Sequence, residues 1–487
     1  MKGEKLLFAR WLFLRLIGVI YLIAFLSLWI QVRGLIGSNG ILPAKAFLEA
    51  VREEIGPARY WYFPTLCWLN ASDAFLQVLS GGGAFLSVLL IIGIAPAPIL
   101  CLLWIVYLSL ATVCREFLWF QWDTLLLETG FLAIFFAPLQ ILPDPRKESP
   151  PSLVVLWLLR WLLFRLMFES GVVKLMSGDP TWRHLTALTY HYETQPLPTW
   201  PGWYVHQLPG WFQRLSCIGM FATELTAPFL IFAPRRFRFM GCGLLVVFQV
   251  FIMTTGNYCF FNLLTIALCV LLLDDPIWPH RWREKIGTGQ GQTTSFRRWP
   301  RWIIVPVAVV ILLVTSVQLI GLFRLRVRWP EPVVLLQEAL QPLRSANRYG
   351  LFAVMTTSRH EIIIEGSNNG VKWFPYEFKY KPGEPTKRPG FVAPHQPRLD
   401  WQMWFAALGS YREHPWLIQF CIRLLQGSPE VLSLLANNPF PDSPPRYVRA
   451  VVYDYHFTDI ATKRREGSWW RRERKGLYCP VLSLRRE

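Results

Sequence analysis

Apolar residues are grouped into nine runs along the first two thirds of the chain, separated by short polar stretches. Most of these runs approach the ~20 apolar residues that a helix needs to cross the hydrocarbon core of a bilayer. The pattern predicts a polytopic α-helical membrane domain of about nine spans over residues 1–329. The predicted spans are 9–30, 73–94, 97–114, 117–137, 152–175, 214–233, 238–255, 258–273 and 302–323.

The pattern changes near residue 330 to that of an extramembrane domain with strands. The run HEIIIEGS is typical of a strand, and Asn368-Asn369-Gly370 after it is a hairpin turn signal. YEFKYK at 376–381 then alternates aromatic and charged residues, which places Tyr376, Phe378 and Tyr380 on one buried face. With helices predicted at 400–410, 415–426 and 429–437, a strand at 446–457 and a basic tail, residues 330–487 are predicted to form an α+β domain containing an antiparallel sheet.

The composition agrees with a membrane protein, because 53% of the 487 residues are hydrophobic and 15% are aromatic. The net charge of +18 lies largely in short loops between apolar runs, so we expect no nucleic acid partner. With a cytoplasmic N-terminus, fourteen Lys and Arg residues lie in inside loops and seven in outside loops, whereas Arg324, Arg326 and Arg328 oppose this orientation. An odd number of spans then places the C-terminal domain outside the cytoplasm.

The run at 152–175 differs from an ordinary span because it contains Arg160, Arg165, Glu169 and Lys174. An ionisable side chain at bilayer depth costs roughly 3 kcal/mol on insertion scales, so we expect these groups to face other helices or a wet pocket. Arg165 and Glu169 are four residues apart and could pair on one helix face. Other polar residues inside apolar runs are also expected to face the interior: Asp123, Glu128, Glu224 and Gln249.

The loop after the charged run is rich in residues that can carry chemistry. A pocket loop is predicted from His184, His191, Tyr192, Glu193 and His206. Lys174 at the mouth of such a pocket could act as a base, with Glu169 and Arg165 assisting. The alternative is that Lys174 neutralises Glu169 in a structural ion pair.

No metal or cofactor is expected from the sequence. His184 and His191 could share a helix face, but histidines in an aromatic loop more often make hydrogen bonds than bind metal. Nucleotide-binding glycine patterns, zinc signatures and nucleophile elbows are not found in the sequence. Cys421 and Cys479 are the two cysteines of the C-terminal domain, and whether they pair stays open at this point.

A proline- and tryptophan-rich loop in the C-terminal domain contains a second set of candidates. Its segment VAPHQPRLDWQMWF includes His395, Arg398, Asp400, Trp401 and Trp404. One interpretation is an exposed surface that binds a client protein. The other is a rigid plug that packs the two domains together.

Several long segments resemble the lipase maturation factor family. The resemblance is carried by KLMSGDPTWRHLTALTYHYETQPLPT (174–199), RYGLFAVMTTSRHEIIIEGSNNG (348–370), VAPHQPRLDWQMWFAALG (392–409) and PPRYVRAVVYDYHF (444–457). It implies a membrane protein of the animal endoplasmic reticulum whose luminal part helps dimeric lipases fold and assemble. The shorter chain without an obvious retrieval tail favours a bacterial member of the inner membrane, where the equivalent side is periplasmic.

Two weaker resemblances are local. FESGVVKLMSGDPTW is similar to the lysine-bearing segment in the membrane domain of vitamin K-dependent γ-carboxylases, which implies a catalytic base at Lys174. HEIIIEGSNNGVKW is similar to strands of discoidin-like jelly rolls, which implies a jelly-roll-like sheet.

The first functional hypothesis is therefore an integral membrane maturation factor with a secreted lipase or other hydrolase as client and with membrane lipid around its spans. The alternative is a membrane enzyme that uses Lys174 for proton abstraction. The first is favoured, so the protein is expected not to be an enzyme.

Overall fold

The computed structural model describes residues 6–142, 150–282, 299–325 and 327–484. Part of the basic loops used above to orient the chain, including Arg146 and Arg297, lies outside these residues. The same is true of Arg326, one of the three arginines that oppose the orientation.

Helices form at all nine predicted apolar runs. In chain order the helices before residue 330 are α1 (Leu7–Trp29), α2 (Val32–Ile36), α3 (Ala44–Ile55), α4 (Arg59–Tyr62), α5 (Asp73–Ile92), α6 (Pro96–Cys114), α7 (Gln121–Phe136), α8 (Leu153–Met176), α9 (Pro180–Arg183), α10 (Ala187–Thr194), α11 (Trp200–His206), α12 (Gly210–Thr226), α13 (Arg235–Thr255), α14 (Phe261–Val270) and α15 (Arg301–Leu322). The predicted runs correspond to α1, α5 to α8 and α12 to α15.

Six helical segments in the described part of the chain are long and apolar enough to cross a membrane: α1, α5, α6, α12 with its following turn, α13 and α15. The helices at the other three predicted spans are not both long and apolar enough to be counted as candidate spans. α7 and α14 are shorter, with 16 and 10 residues, and α8 has 24 residues but carries ionisable side chains. The N-terminal region is therefore a membrane-type helical domain with six candidate spans.

The helices are arranged around α1, which packs against α5, α6, α7 and α14. Close approach to α5 requires a small residue, since a Cβ atom at Gly83 would overlap the ring of Phe25. By contrast, α12, α13 and α15 expose large apolar side chains such as Leu215, Phe251 and Val309. On these three helices, large apolar side chains form the outer surface of the bundle.

The C-terminal domain contains one four-stranded antiparallel sheet among the described residues, with strand order β2-β1-β3-β4. A jelly roll requires two facing sheets, so that expectation is not confirmed. The elements in order are α16 (Glu331–Leu340), β1 (Arg359–Ser367), β2 (Phe374–Pro375), α17 (Arg398–Ala406), α18 (Pro415–Leu425), α19 (Pro429–Leu432), β3 (Tyr447–Phe457), α20 (Ile460–Glu466) and β4 (Trp470–Leu482).

The strand predictions are partly confirmed. β1 and β3 form where expected and pair along their whole length, and the chain reverses after Asn368 into the short β2. Residues 376–381 do not continue that strand, although Tyr376 and Phe378 are buried as predicted. The prediction is wrong for Tyr380, which is 38% exposed because the chain leaves the strand geometry that would place it on the same face. Lys381, predicted on the solvent face, is buried, and its Nζ lies 2.8 Å from Glu361 Oε2.

β4 is not predicted from the sequence, because its first half, WRRERK, is strongly charged and is typical of a basic tail. β4 is the outer strand of the sheet, and charged side chains on an edge strand oppose pairing with other chains. In the second half of β4 the buried thiol of Cys479 is hydrogen-bonded with that of Cys421 on α18, and both cysteines are free.

Candidate functional site

Charged side chains of the membrane domain hold a segment of the C-terminal part of the chain. Glu128 on α7 and Arg165 on α8 form a fully buried ion pair. Glu128 Oε2 accepts hydrogen bonds from the backbone N–H of Asn347 at 2.9 Å and from Tyr349 Oη at 2.7 Å. Arg165 Nη1 donates to the carbonyl of Asn347 at 2.8 Å, and Glu169 Oε2 accepts from the N–H of Tyr349 at 2.8 Å. The segment 347–349 is therefore inserted between α7 and α8.

This arrangement confirms that the charges of α8 face the interior. The predicted ion pair between Arg165 and Glu169 is wrong, because each of them binds a different partner. Arg165 pairs with Glu128, 37 residues earlier, and Glu169 binds backbone of the inserted segment. The insertion also needs glycine at position 350, because its φ is +149° and a Cβ atom there would lie 2.6 Å from Val173 Cγ1.

Lys174 pairs with Glu224 of α12 and not with Glu169. Its Nζ lies 2.8 Å from both carboxylate oxygens of Glu224 and donates to the carbonyl of Ser170 at 3.0 Å. The side chains of both charged residues are less than a tenth exposed. The ammonium group is thus fully engaged, which favours a structural cation over a free base.

A second buried ion pair joins the two domains. Arg398 of α17 donates from both terminal nitrogens to Asp123 of α7 at 3.1 Å, and Nη1 also donates to the carbonyl of Phe117 at 2.6 Å. Tyr107 Oη donates to the same Asp123 carboxylate at 2.5 Å. Neither partner of the ion pair is exposed to solvent.

The predicted client-binding residues are mostly buried by this contact. Arg398 and Asp400 are no more than 2% exposed, and Asp400 accepts backbone N–H groups within its own domain. These side chains are not part of an exposed surface: Arg398 packs the two domains together, and Asp400 stabilises the C-terminal domain itself. Trp401 and Trp404 are also largely buried, although their rings border a groove described below.

His395 lies at the same domain contact, with Nδ1 2.9 Å from the hydroxyl of Ser27 on α1. Burial, and then the neighbouring cations Arg398 and Lys379, lower the pKa of His395 to about 4. The imidazole is therefore neutral near pH 7.

Acidification is expected to destabilise the protein through this histidine. In the unfolded chain the pKa of His395 returns to about 6.5. Between these two pKa values the unfolded chain binds a proton that the folded chain does not, so stability is complete above pH ~6.5 and falls as the pH drops toward 4. Thermal unfolding midpoints at pH 7 and pH 5 should differ more in the wild type than in His395→Asn, and equal differences would contradict the assignment.

A cavity of about 500 Å³ opens beside the Lys174–Glu224 pair. It lies between α8, α12, α13 and α14, and the loop helices α10 and α11 close its end. Most of its lining is apolar. The lining residues include Lys174 and Glu224, His191 on α10, Gly219 on α12, and Leu244, Val247 and Phe251 on α13.

The predicted pocket-loop residues separate into two groups. His191 and Tyr192 line the cavity, and His191 Nε2 lies 3.2 Å from Tyr258 Oη. Glu193 is directed away from it, toward β3, where its carboxylate accepts the N–H of Phe457 at 2.9 Å. His206 lies 3.9 Å from that carboxylate.

His184 is exposed and lies outside the cavity lining. In the part of the chain that the structure describes, no group of three or more His, Cys, Asp or Glu residues is arranged to hold a metal ion.

A groove of about 590 Å³ lies at the junction of the two domains. The side of α7 and the loop before it form one wall, and residues 341–356 with the end of α17 form the other. Large apolar side chains at its rim are exposed, including Trp119 at 69%, Val354 at 67% and Leu408 at 50%. The guanidinium of Arg344 lies 4.7 Å from the ring of Trp119. The groove thus combines exposed apolar surface with positive charge.

Several residues of these sites were not singled out from the sequence, namely Trp119, Asn347, Tyr349, Val354 and Leu408. A signal exists for the insertion, since RYG at 348–350 belongs to a segment that carries the family resemblance. The exposed apolar residues at the groove rim cannot be recognised from the sequence, because nothing in it distinguishes them from buried apolar residues.

Two family models match the chain. The lipase maturation factor transmembrane domain matches residues 8–280, and the lipase maturation factor C-terminal domain matches residues 345–480. The chain is 37% identical to lipase maturation factor 2 of Homo sapiens, over 99% of the chain and 84% of that protein. It is 36% identical to lipase maturation factor 1 of Bos taurus, over 97% of the chain and 89% of that protein. No solved structure matches the chain.

Proposed function

The chain belongs to the lipase maturation factor family, and from this premise we propose that it is an integral membrane maturation factor that assists the folding and assembly of secreted lipases. The observation that supports this proposal most directly is the groove between the domains. Partly folded proteins expose apolar surface, and a groove with an exposed aromatic and aliphatic rim can cover such surface during assembly.

We propose that all nine apolar helices cross the membrane as one bundle, with lipid around the bundle. The ionisable side chains of α7 and α8 are buried inside the bundle, so they need not meet hydrocarbon. The C-terminal domain contacts the end of α1, the start of α7 and the end of α8, which nine alternating spans place on one side.

That side is the non-cytoplasmic one if the N-terminus is cytoplasmic. We place the protein in the bacterial inner membrane, with the groove facing the periplasm. In a eukaryotic cell the corresponding location is the endoplasmic reticulum membrane, with the groove facing the lumen. Both are compartments in which newly secreted lipases fold.

The client is proposed to contact the groove rim and not the buried Arg398 and Asp400. Trp401 and Trp404 support the floor of the groove, and Trp404 is fixed by a hydrogen bond from Nε1 to the carbonyl of Thr194 at 2.7 Å. Rigid aromatic anchors beside exposed apolar residues are typical of binding surfaces. The contact is with protein, so nucleic acid is not expected as a partner.

Charging the groove rim is expected to release the client. The double variant Val354→Asp/Leu408→Asp should lower the amount of secreted lipase that co-purifies from detergent-solubilised membranes at least fivefold, as measured by quantitative mass spectrometry. The matched control is Val371→Asp, which charges an apolar residue 82% exposed near the β1–β2 turn. Full retention of lipase by the double variant, with normal protein abundance, would contradict the proposal.

The alternative, an enzyme with Lys174 as base, finds no support in the family match. Lys174 is neutralised by Glu224 and has no free role in the observed geometry.

A further inference from the structure

The cavity beside Lys174 is open toward the membrane. Three of its lining residues on α13, Leu244, Val247 and Phe251, are at least 46% exposed, and Gly219 on α12 opposite them is also exposed. Exposed residues of α12 and α13 thus border the cavity, and we infer that it opens to the surface between these two helices. Both helices are candidate spans, so the opening faces acyl chains.

The cavity lining is mostly apolar but contains a few polar side chains. Apolar side chains of α8, α12 and α13 form most of the walls, and the polar residues among the lining include the Lys174–Glu224 pair, His191, Gln249 and Asn262. A volume of about 500 Å³ lies within the roughly 300–1,000 Å³ of small-molecule sites. The volume of the cavity and its mostly apolar lining therefore suit an amphiphile with a hydrocarbon chain and a polar head.

The ion pair between Lys174 and Glu224 decides which lipid head group fits the cavity. Lys174 is neutralised by Glu224, and both carboxylate oxygens lie 2.8 Å from its Nζ. A ligand carboxylate would have to compete with Glu224 for the same cation, and one of the two anions would remain buried and unpaired. A neutral hydroxyl-bearing head avoids this cost and can donate a hydrogen bond to the Glu224 carboxylate.

We propose that this cavity binds a neutral lipid with one alkyl chain and a hydroxyl-bearing head, which reaches it from the membrane between α12 and α13. The inference goes beyond the proposed lipase maturation function and does not depend on it. A free long-chain alcohol and a monoacylglycerol share this chemistry.

The binding test uses the full chain in detergent micelles with three photoreactive probes that carry the same diazirine-labelled C16 chain. The probes are the alcohol, the monoacylglycerol and the fatty acid. Peptide mapping should find the alcohol or the monoacylglycerol attached to cavity residues of α8, α12 or α13, at least tenfold above the fatty acid. The stronger of the two neutral probes identifies the source. Equal labelling by all three probes, or labelling confined to outward-facing side chains, would overturn the proposal.

Two variants sharpen the test. Gly219→Trp places a ring at the cavity mouth, where a Cβ atom meets nothing within 4 Å, and should reduce cavity labelling at least tenfold. Gly243→Trp is the control, because Gly243 is equally open and exposed on α13 but does not line the cavity. Similar labelling in Gly219→Trp and the wild type would contradict a cavity site.

The charge argument has its own test. Glu224→Gln removes the competing anion and should reverse the preference, so that the fatty acid labels the cavity more strongly than the alcohol. An unchanged preference in folded Glu224→Gln would refute the selectivity assigned here. The Gly219→Trp comparison leaves the ion pair intact and remains decisive if Glu224→Gln does not fold.

Discussion

Replacing Arg398 with methionine is expected to destabilise the folded protein by about 3–5 kcal/mol, because it leaves the Asp123 carboxylate buried without its cation. The guanidinium also satisfies the carbonyl of Phe117, which would lose its partner. Chemical unfolding in detergent, followed by tryptophan fluorescence, measures the loss. We also expect the C-terminal domain to become sensitive to protease, since this pair joins it to α7.

An inter-domain ion pair near the surface provides the matched control. Arg33 contacts Glu430 at 3.0 Å, but the arginine side chain is 52% exposed. Exposed pairs contribute about 0–1 kcal/mol, so Arg33→Gln should change stability little. The double variant Arg398→Met/Asp123→Asn should recover part of the loss. Equal effects of Arg398→Met and Arg33→Gln would show that the buried pair does not hold the domains together.

The second large effect is expected at Lys174. Lys174→Met leaves Glu224 buried and unpaired and should cost about 3–5 kcal/mol, with a corresponding fall in protein abundance. Removing both charges in Lys174→Met/Glu224→Gln should restore most of the stability, because no isolated charge remains. Unfolding in detergent and the amount of folded protein in membranes provide the two measurements.

The same pair of variants separates the two functional hypotheses. If the ion pair is structural, the double variant also recovers the maturation of co-expressed lipase, measured as secreted lipase activity. If Lys174 is a catalytic base, the double variant is folded but inactive. Lys45→Gln, which changes a lysine with a 75% exposed side chain, is the control and should leave abundance and maturation unchanged.

The positions of the long helices were predictable because hydrocarbon imposes a simple rule on sequence. Each span needs a long apolar run, and helices form at all nine predicted runs. The same rule predicted that Arg165, Glu169 and Lys174 face inward, since an ionisable group in lipid is too costly. All three are buried in the structure.

The partners of these charges were not predictable from local spacing. Helical periodicity favoured Arg165 with Glu169, and the structural alternative to a catalytic base paired Lys174 with Glu169. Local spacing relates only residues of the same helix, so it could not identify partners on other helices. In the fold Arg165 meets Glu128, Lys174 meets Glu224, and Glu169 meets the backbone at Tyr349. For Arg398 the sequence left both a client surface and a domain-packing plug open, because its partner Asp123 lies 275 residues away in the sequence.

By itself the sequence determined where the helices form, which side chains must avoid lipid, and the resemblance to the lipase maturation factors. Each of these depends on local composition, on the periodicity of a single element or on extended sequence similarity. Only the tertiary structure decided which charges neutralise each other, which residues of the 392–405 loop are buried, and where the groove and the membrane cavity lie. These features arise when segments distant in the chain pack together, and the hydrophobic pattern of one segment carries no information about which partner it will meet.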